Sequence, residues 1–298
     1  MDVEISEFDP TTIAADATIL IVGKRHTGKT TLTRDLMYHV KDKLDAVMGM
    51  NPTEMGNHNL EFFTPKSMIF HEFNDEKIKH ILEWQKRCVA NNKAKRIGFV
   101  MDDCMAETTG TGAKKKKVMG SQDIIKVFKL GRHLKLFYVN CMQYIKDAPP
   151  EIRGNVDLLF AFGTTSGNER EKLWKEYFAM FSNYKSFCQV FEACTQQYEC
   201  IVLDTRQAAK KPMDSVFYYK ARVIKEPFKV GRPVFWRLSD YYYADNSDYT
   251  MDVSKVLGVA ESRRLRADGG EALDLNTAEA ASTVPEEPRI IKKSREER

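Results

Sequence analysis

Apolar runs rich in β-branched and aromatic residues recur along the chain at Thr18–Val22, Ser67–His71, Ile97–Met101, Leu134–Cys141 and Asp157–Phe162. Most are separated by stretches with helical spacing, an alternation that predicts a parallel sheet with helices on both faces. Between the first two runs, Leu32, Leu36, Val40 and Leu44 recur every four residues and give one apolar helix face. Ser121 can cap a helix that carries Ile124, Ile125, Phe128 and Leu130. Further on, Glu169 to Phe181 reads as a helix, and Cys200–Leu203 and Val216–Tyr219 read as strands. Phe228–Leu238 contains Gly231 and Pro233 and is expected to be a late hairpin or edge element. From about Ser262 large apolar residues become scarce, and the charged end is expected to be disordered.

Composition changes this picture little. With 298 residues, 43% hydrophobic and 11% aromatic, the chain can bury a sizeable core, which excludes global disorder. A net charge of +4 with both signs mixed does not by itself mark a nucleic-acid binder. The six cysteines form no C-x-x-C pair, and the six-residue gaps between Cys188, Cys194 and Cys200 match no common zinc spacing. They read as reduced thiols of an intracellular protein. Met1 to Pro10 is acidic and lacks the basic and apolar regions of a signal peptide. No apolar run reaches the roughly 18 to 20 residues of a membrane span.

The chemistry enters between the first strand and the first helix. Gly23-Lys24-Arg25-His26-Thr27-Gly28-Lys29-Thr30 fits G-x-x-x-x-G-K-[ST], and with Thr31 it forms the candidate nucleotide-binding stretch. Glycines let the backbone wrap round a phosphate, and the amides of the helix N-terminus supply donors and positive dipole. Lys29 would reach the β- and γ-phosphates of ATP, and the Thr30 hydroxyl would ligate Mg²⁺. Lys24, Arg25 and His26 fill the variable positions, where loop surface is the plainer role.

Ile97-Gly98-Phe99-Val100-Met101-Asp102-Asp103 is an apolar strand ending in two carboxylates, the form of a Walker B element. Asp102 could hold the magnesium and its water shell, and Asp103 could polarise the attacking water. Simple strand termination is the alternative. The strand Leu134–Cys141 runs on to a neutral amide, Gln143, with Asn140 as the lesser candidate. Either could bond the γ-phosphate or the lytic water, or merely cap the strand.

From Lys114 to Arg153 ten Lys or Arg face three acids. Lys114 to Lys117 follow Gly110 and Gly112 in what reads as a flexible loop, suited to DNA backbone contact or simply to solvent. Arg132 and Arg153 flank the strand that ends at Gln143. Each could act as an arginine finger on an adjoining subunit or form a surface salt bridge.

Together these motifs resemble the genome-packaging ATPases of nucleocytoplasmic large DNA viruses, the poxvirus-type branch of the FtsK-HerA superfamily. The resemblance rests on Ile21-Val22-Gly23 to Thr30, Phe99 to Asp103, Gly131-Arg132-His133, Gln143, and Pro149-Pro150-Glu151-Ile152-Arg153-Gly154-Asn155-Val156-Asp157, and it covers roughly residues 15 to 220. It implies a RecA-like ATPase core; the ATPase domain is expected to span residues 1–250, C-terminal strand additions included, with a short helix and the charged tail, which has no counterpart in the family, over 251–298. It further implies a homo-oligomeric ring around double-stranded DNA and ATP-driven loading of a genome into a preformed capsid, with capsid or portal partners. The location would be the viral assembly site in the host cytoplasm, and the virion. Asp103 stands where many relatives carry Glu, which bears on hydrolysis rate. Two other functions compete. A GTPase should carry N-K-x-D, and Asn92-Lys93-Ala94-Lys95 lacks the aspartate; a small-molecule kinase usually has an Arg-rich lid. The other is a non-hydrolysing ATP-dependent assembly protein, for which intact Lys29, Thr30, Asp102 and Asp103 would be superfluous.

Overall fold

The run Thr18–Val22 is buried at every position because it is the central strand of an α/β sheet covered on both sides. A computed structural model describes residues 4–104, 108–109, 116–145, 148–206 and 212–242, all within the unit Met1–Met251. The tail expected after that unit lies outside the described residues.

The strands are β1 (Ser6–Glu7), β2 (Thr18–Val22), β3 (Ala46–Met50), β4 (Ile69–Phe70), β5 (Ile97–Asp102), β6 (Thr108–Thr109), β7 (Lys116–Lys117), β8 (Leu136–Met142), β9 (Leu158–Phe162), β10 (Glu199–Asp204) and β11 (Val216–Lys220). The helices are α1 (Lys29–Val40), α2 (Glu54–Asn57), α3 (Asp75–Ala90), α4 (Gln122–Leu130), α5 (Pro150–Arg153), α6 (Gly167–Tyr177), α7 (Tyr184–Ala193) and α8 (Pro233–Tyr242). Among the described residues the main sheet has nine strands in the order β1-β11-β10-β9-β2-β8-β5-β3-β4, and β6 pairs only with β7. From β9 through β4 all neighbours are parallel. β10 runs antiparallel to β9 and β11 antiparallel to β10, with Cys200 opposite both Phe162 and Tyr219. The C-terminal ends of β2, β5, β8, β9 and β11 and the start of β10 therefore share one edge of the sheet.

Alternation along each strand sorts the core into two layers. Ile19 and Ile21 of β2 join Phe137, Val139 and Cys141 of β8 against Leu32, Leu36 and Val40 of α1. Leu20 and Val22 join Leu136, Tyr138 and Met142 against Ile78 and Leu82 of α3, Ile124 and Phe128 of α4, and Phe187 and Phe191 of α7. Tyr138 is fully buried, stacked on Phe99 at 5.4 Å and edge-on to Phe128 at 5.0 Å. Side-chain caps from Asn74, Ser121, Ser166 and Asn183 start α3, α4, α6 and α7, each contributing about 1 kcal/mol.

Several elements depart from the sequence expectation. Ser67–His71 is a 3-10 turn, Lys66–Met68, followed by the two-residue β4. Glu169–Phe181 yields α6, which stops at Tyr177. Phe228–Leu238 is no hairpin: Pro233 opens α8 instead, since a proline at the first helical position lacks only an N–H that would be unpaired anyway. The Gly231 backbone lies left-handed at φ 84° and a Cβ there would meet the Asp45 carbonyl at 2.8 Å. β3 and α7 are additional to the expected elements. All six cysteines are free thiols.

Candidate functional site

The phosphate-binding loop leaves β2 and turns into α1 at the shared edge. Gly23 N–H donates to the Met142 carbonyl at 3.1 Å, which ties the loop to the end of β8. A Cβ at Gly23 would stand 2.6 Å from Thr27 Oγ1 and 3.0 Å from Phe162, and Gly28 has φ 108°; both positions therefore demand glycine. Thr27 Oγ1 donates to the Lys24 carbonyl at 2.9 Å. Lys29 Nζ donates to the carbonyls of Gly23 at 2.7 Å and Lys24 at 2.9 Å, so its ammonium sits in the hollow of the loop. Arg25 and His26 are exposed, and Lys24 Nζ reaches Thr165 Oγ1 at 3.4 Å.

β8 separates β2 from β5, so the charge of Lys29 acts on Asp102 across an intervening strand. Asp102 lies opposite Cys141 and shares its face of the sheet, the one that carries α1. Asp102 is 5% exposed. Burial pushes its carboxyl above the ordinary range, opposed by the hydrogen bond from Asn59 and by the charge of Lys29. Thr33 Oγ1 donates to the Lys29 carbonyl at 2.9 Å and meets Cys141 Sγ at 3.3 Å. Asp103 follows with a left-handed φ of 53°, which swings it out of the strand. Gln143 Nε2 donates to Asp103 Oδ1 at 2.8 Å. The strand-end amide and the second acid thus meet directly. Asn140 points to the other face, its Nδ2 at 3.4 Å from Met119 Sδ, away from the loop.

Sequence reasoning missed a polar cluster around Asp102. Asn59 Nδ2 donates to Asp102 Oδ2 at 2.7 Å, and both side chains are buried. Glu54, fully buried, accepts from Asn51 Nδ2 at 2.6 Å and Glu61 N–H at 2.8 Å; burial raises its carboxyl. Arg34 lies 4.2 Å over the Phe62 ring and donates to the His58 carbonyl at 3.1 Å. Burial lowers its guanidinium, and the nearby charges of Glu54 and Asp102 oppose that. No local motif marks Asn59, because its partner is 43 residues away.

Arg132 and Arg153 stand elsewhere. Arg132 precedes β8, whose seven residues place it roughly 20 Å from the loop edge, and it pairs with Asp157. Asp157 also accepts from Thr18 N–H at 2.8 Å. Arg153 pairs with Glu176 and donates to the Ala148 carbonyl at 2.9 Å. Two adjacent turns at that far edge are basic: Lys93, Lys95 and Arg96 before β5, and Lys129, Arg132 and Lys135 before β8, all exposed. Ile97 N–H donates to the Lys135 carbonyl at 3.2 Å, which joins the two turns. Of the loop Gly110–Lys117 expected to contact DNA, residues 110–115 lie outside the described residues, and Lys116–Lys117 form β7, a two-residue strand paired with β6, rather than flexible loop.

No family model matches the sequence. An uncharacterized protein of Acanthamoeba polyphaga mimivirus is 31% identical over 258 residues, covering 84% of this chain and 87% of that one. The chain belongs to a family of proteins of large DNA viruses. An uncharacterized protein of Frog virus 3 (isolate Goorha) is similar, 28% identical over 260 residues, with 86% of this chain and 77% of the other covered. Among solved structures, the genome packaging NTPase of Sulfolobus turreted icosahedral virus 2, in complex with AMPPCP, superposes with a TM-score of 0.51. That match has 15% identity and covers 70% of this chain and all of that one. The chain therefore has the α/β fold of P-loop NTPases, with a mostly parallel sheet.

Among the described residues no group of three or more His, Cys, Asp or Glu is arranged to hold a metal ion. The oxygen donors Thr30 and Asp102 suit magnesium, which takes one or two protein ligands and completes its shell with phosphates and water. No described helix is long and apolar enough to cross a membrane.

Proposed function

We propose that the protein is an ATPase that drives double-stranded DNA, and that this DNA is a viral genome being loaded into a preformed capsid. The observation that carries the hydrolytic part is the 2.8 Å contact of Gln143 with Asp103, beside a phosphate loop whose lysine already occupies the hollow. In this assignment Gly23 through Thr31 cradle the phosphates and Lys29 moves from the loop carbonyls onto the β- and γ-oxygens. Thr30 and Asp102 hold magnesium, which when bound neutralises charge on the phosphate oxygens. Asp103 takes a proton from the attacking water. Gln143 orients that water and, through its bond to Asp103, registers whether the γ-phosphate is present.

The DNA part is supported by the family of large DNA viruses, by the packaging NTPase that shares the fold, and by the six exposed cations of the two basic turns. Those turns, Asn91 to Arg96 and Lys129 to Lys135, contain no acid, which suits a phosphate backbone without base readout. A homo-oligomeric ring would bring Arg132 or Arg153 of one subunit to the site of the next, each leaving its present carboxylate partner. Capsid or portal components would be its further partners, at the cytoplasmic assembly site and in the virion.

Linear duplex DNA titrated against the protein at rising salt tests the contact. With about six phosphates neutralised, affinity is expected to fall roughly a thousandfold between about 50 and 200 mM salt. Replacing Lys93, Lys95 and Lys135 together by alanine should flatten that slope by about three charges. A slope unchanged in the triple variant would remove these turns from the DNA contact.

A further inference from the structure

The two basic turns at the far edge of the sheet have an exposed aromatic ring beside them. Trp84 on α3 is 44% exposed, a large flat side chain left in water, while the next residue, Gln85, is fully buried. Gln85 Nε2 donates to the Lys95 carbonyl at 2.6 Å and to the Leu134 carbonyl at 2.8 Å. One side chain therefore pins α3 to both turns at the level of Trp84. The chain leaving the helix folds back to the same place. Asn92 takes a left-handed φ of 53°, and Lys93 N–H donates to the Cys88 carbonyl at 2.8 Å. Cys88 lies four residues after Trp84, hence on the same face of α3 and one turn along.

Charge near the ring has one sign. From Trp84 to Arg96 the chain carries Lys86, Arg87, Lys93, Lys95 and Arg96 and no acid, and all five cations are exposed. Glu83 lies roughly 100° round the helix from Trp84, on the side opposite Gln85, and Asp75 and Glu76 belong to the other end of α3. An aromatic ring among cations suits a nucleic-acid strand whose bases are free, because phosphates take the charges and a base takes the ring face. Intact duplex keeps its bases paired and stacked on one another; only an unpaired stretch or a frayed end offers a base without a further unstacking cost.

We propose that the end of α3 grips an unpaired stretch of DNA. Trp84 stacks on a base, the cations of the helix end and of the turns hold the flanking phosphates, and Gln85 keeps ring and turns at one level. The inference rests on the proposed DNA contact of the two turns and adds the form of DNA they take. Stacking asks only for a π-face, so the grip is indifferent to sequence.

The test compares two probes on the full chain at one salt concentration: an oligodeoxythymidylate, which has no partner strand, and a blunt-ended duplex of the same length. In Trp84→Ala the Kd for the oligodeoxythymidylate should rise about tenfold, the size of one lost base–aromatic stack, while the Kd for the duplex stays as in the parent. Trp84→Phe should restore most of the binding. The oligodeoxythymidylate should also quench the indole fluorescence of the parent, and Trp84→Phe, which keeps Trp174 and Trp236, should lose that quench. Equal weakening of both probes in Trp84→Ala would show that Trp84 acts only by shaping the turns, and unchanged oligodeoxythymidylate binding would place the base elsewhere; either outcome overturns the grip. A parent that binds the duplex and not the single strand overturns it too, and leaves the DNA contact of the turns standing. A parent that binds neither probe would overturn that contact itself.

Discussion

Asp103→Asn is expected to bind ATP as the parent does and to hydrolyse it about 10² to 10⁴ times more slowly, the usual effect of removing a positioned general base. The substitution is nearly isosteric, and the new amide oxygen can still accept from Gln143 Nε2, which now spans 2.8 Å to Asp103 Oδ1. The left-handed turn at φ 53° also tolerates asparagine, which enters that region more readily than most residues. Folding and nucleotide affinity should therefore be preserved, and the lost proton acceptor alone separates variant from parent. Single-turnover hydrolysis with a parallel measurement of ATP binding checks this. Parent-like hydrolysis in the variant would remove Asp103 from the role of base.

Lys29→Ala should act earlier, at binding. The ammonium is held by two loop carbonyls at 2.7 and 2.9 Å, an arrangement in which a phosphate oxygen can replace a carbonyl at little reorganisation cost. Its removal deletes the charge-assisted bond to the phosphates, worth about 1.5 to 3 kcal/mol, so ATP affinity should fall roughly ten- to a hundredfold or more. Turnover should fall further, because charge stabilisation on the transferring phosphoryl group is lost as well. Gly23 is buried and Lys24 half-buried, but water entering the space left by the lysine side chain can satisfy both freed carbonyls, so the thermal midpoint should move little. Calorimetric titration with ATP and a thermal melt separate the two effects. Unaltered affinity with a collapsed melt would make Lys29 a structural residue.

Legibility in the sequence followed locality. The phosphate loop is a contiguous eight-residue pattern whose glycines, lysine and threonine each answer a local demand, and the structure brings it to a strand–helix junction as that pattern requires. Gln143 and Asp103 were legible as strand-end groups, but their direct contact was not, since it depends on β8 lying next to β5. Strand order also explains the arginines. Arg132 and Arg153 are close in sequence to the strand that ends at Gln143, yet Arg132 stands at the opposite end of it because a strand carries its two ends apart. Ala46-Val47-Met48-Gly49-Met50 lacks the β-branched density that marks the other strands, and packing across β5 rather than propensity makes it β3. Proline and glycine near Pro233 suggested an edge element, where the same proline starts α8. Asn59 carries no motif at all; only the fold brings it to Asp102.

Steady-state ATP hydrolysis by the purified protein, measured with and without linear double-stranded DNA at low and moderate salt, tests the central claim most directly. A DNA-coupled motor predicts turnover that rises on adding DNA and loses that stimulation as salt screens the phosphate contacts. Turnover indifferent to DNA at both salts would contradict it.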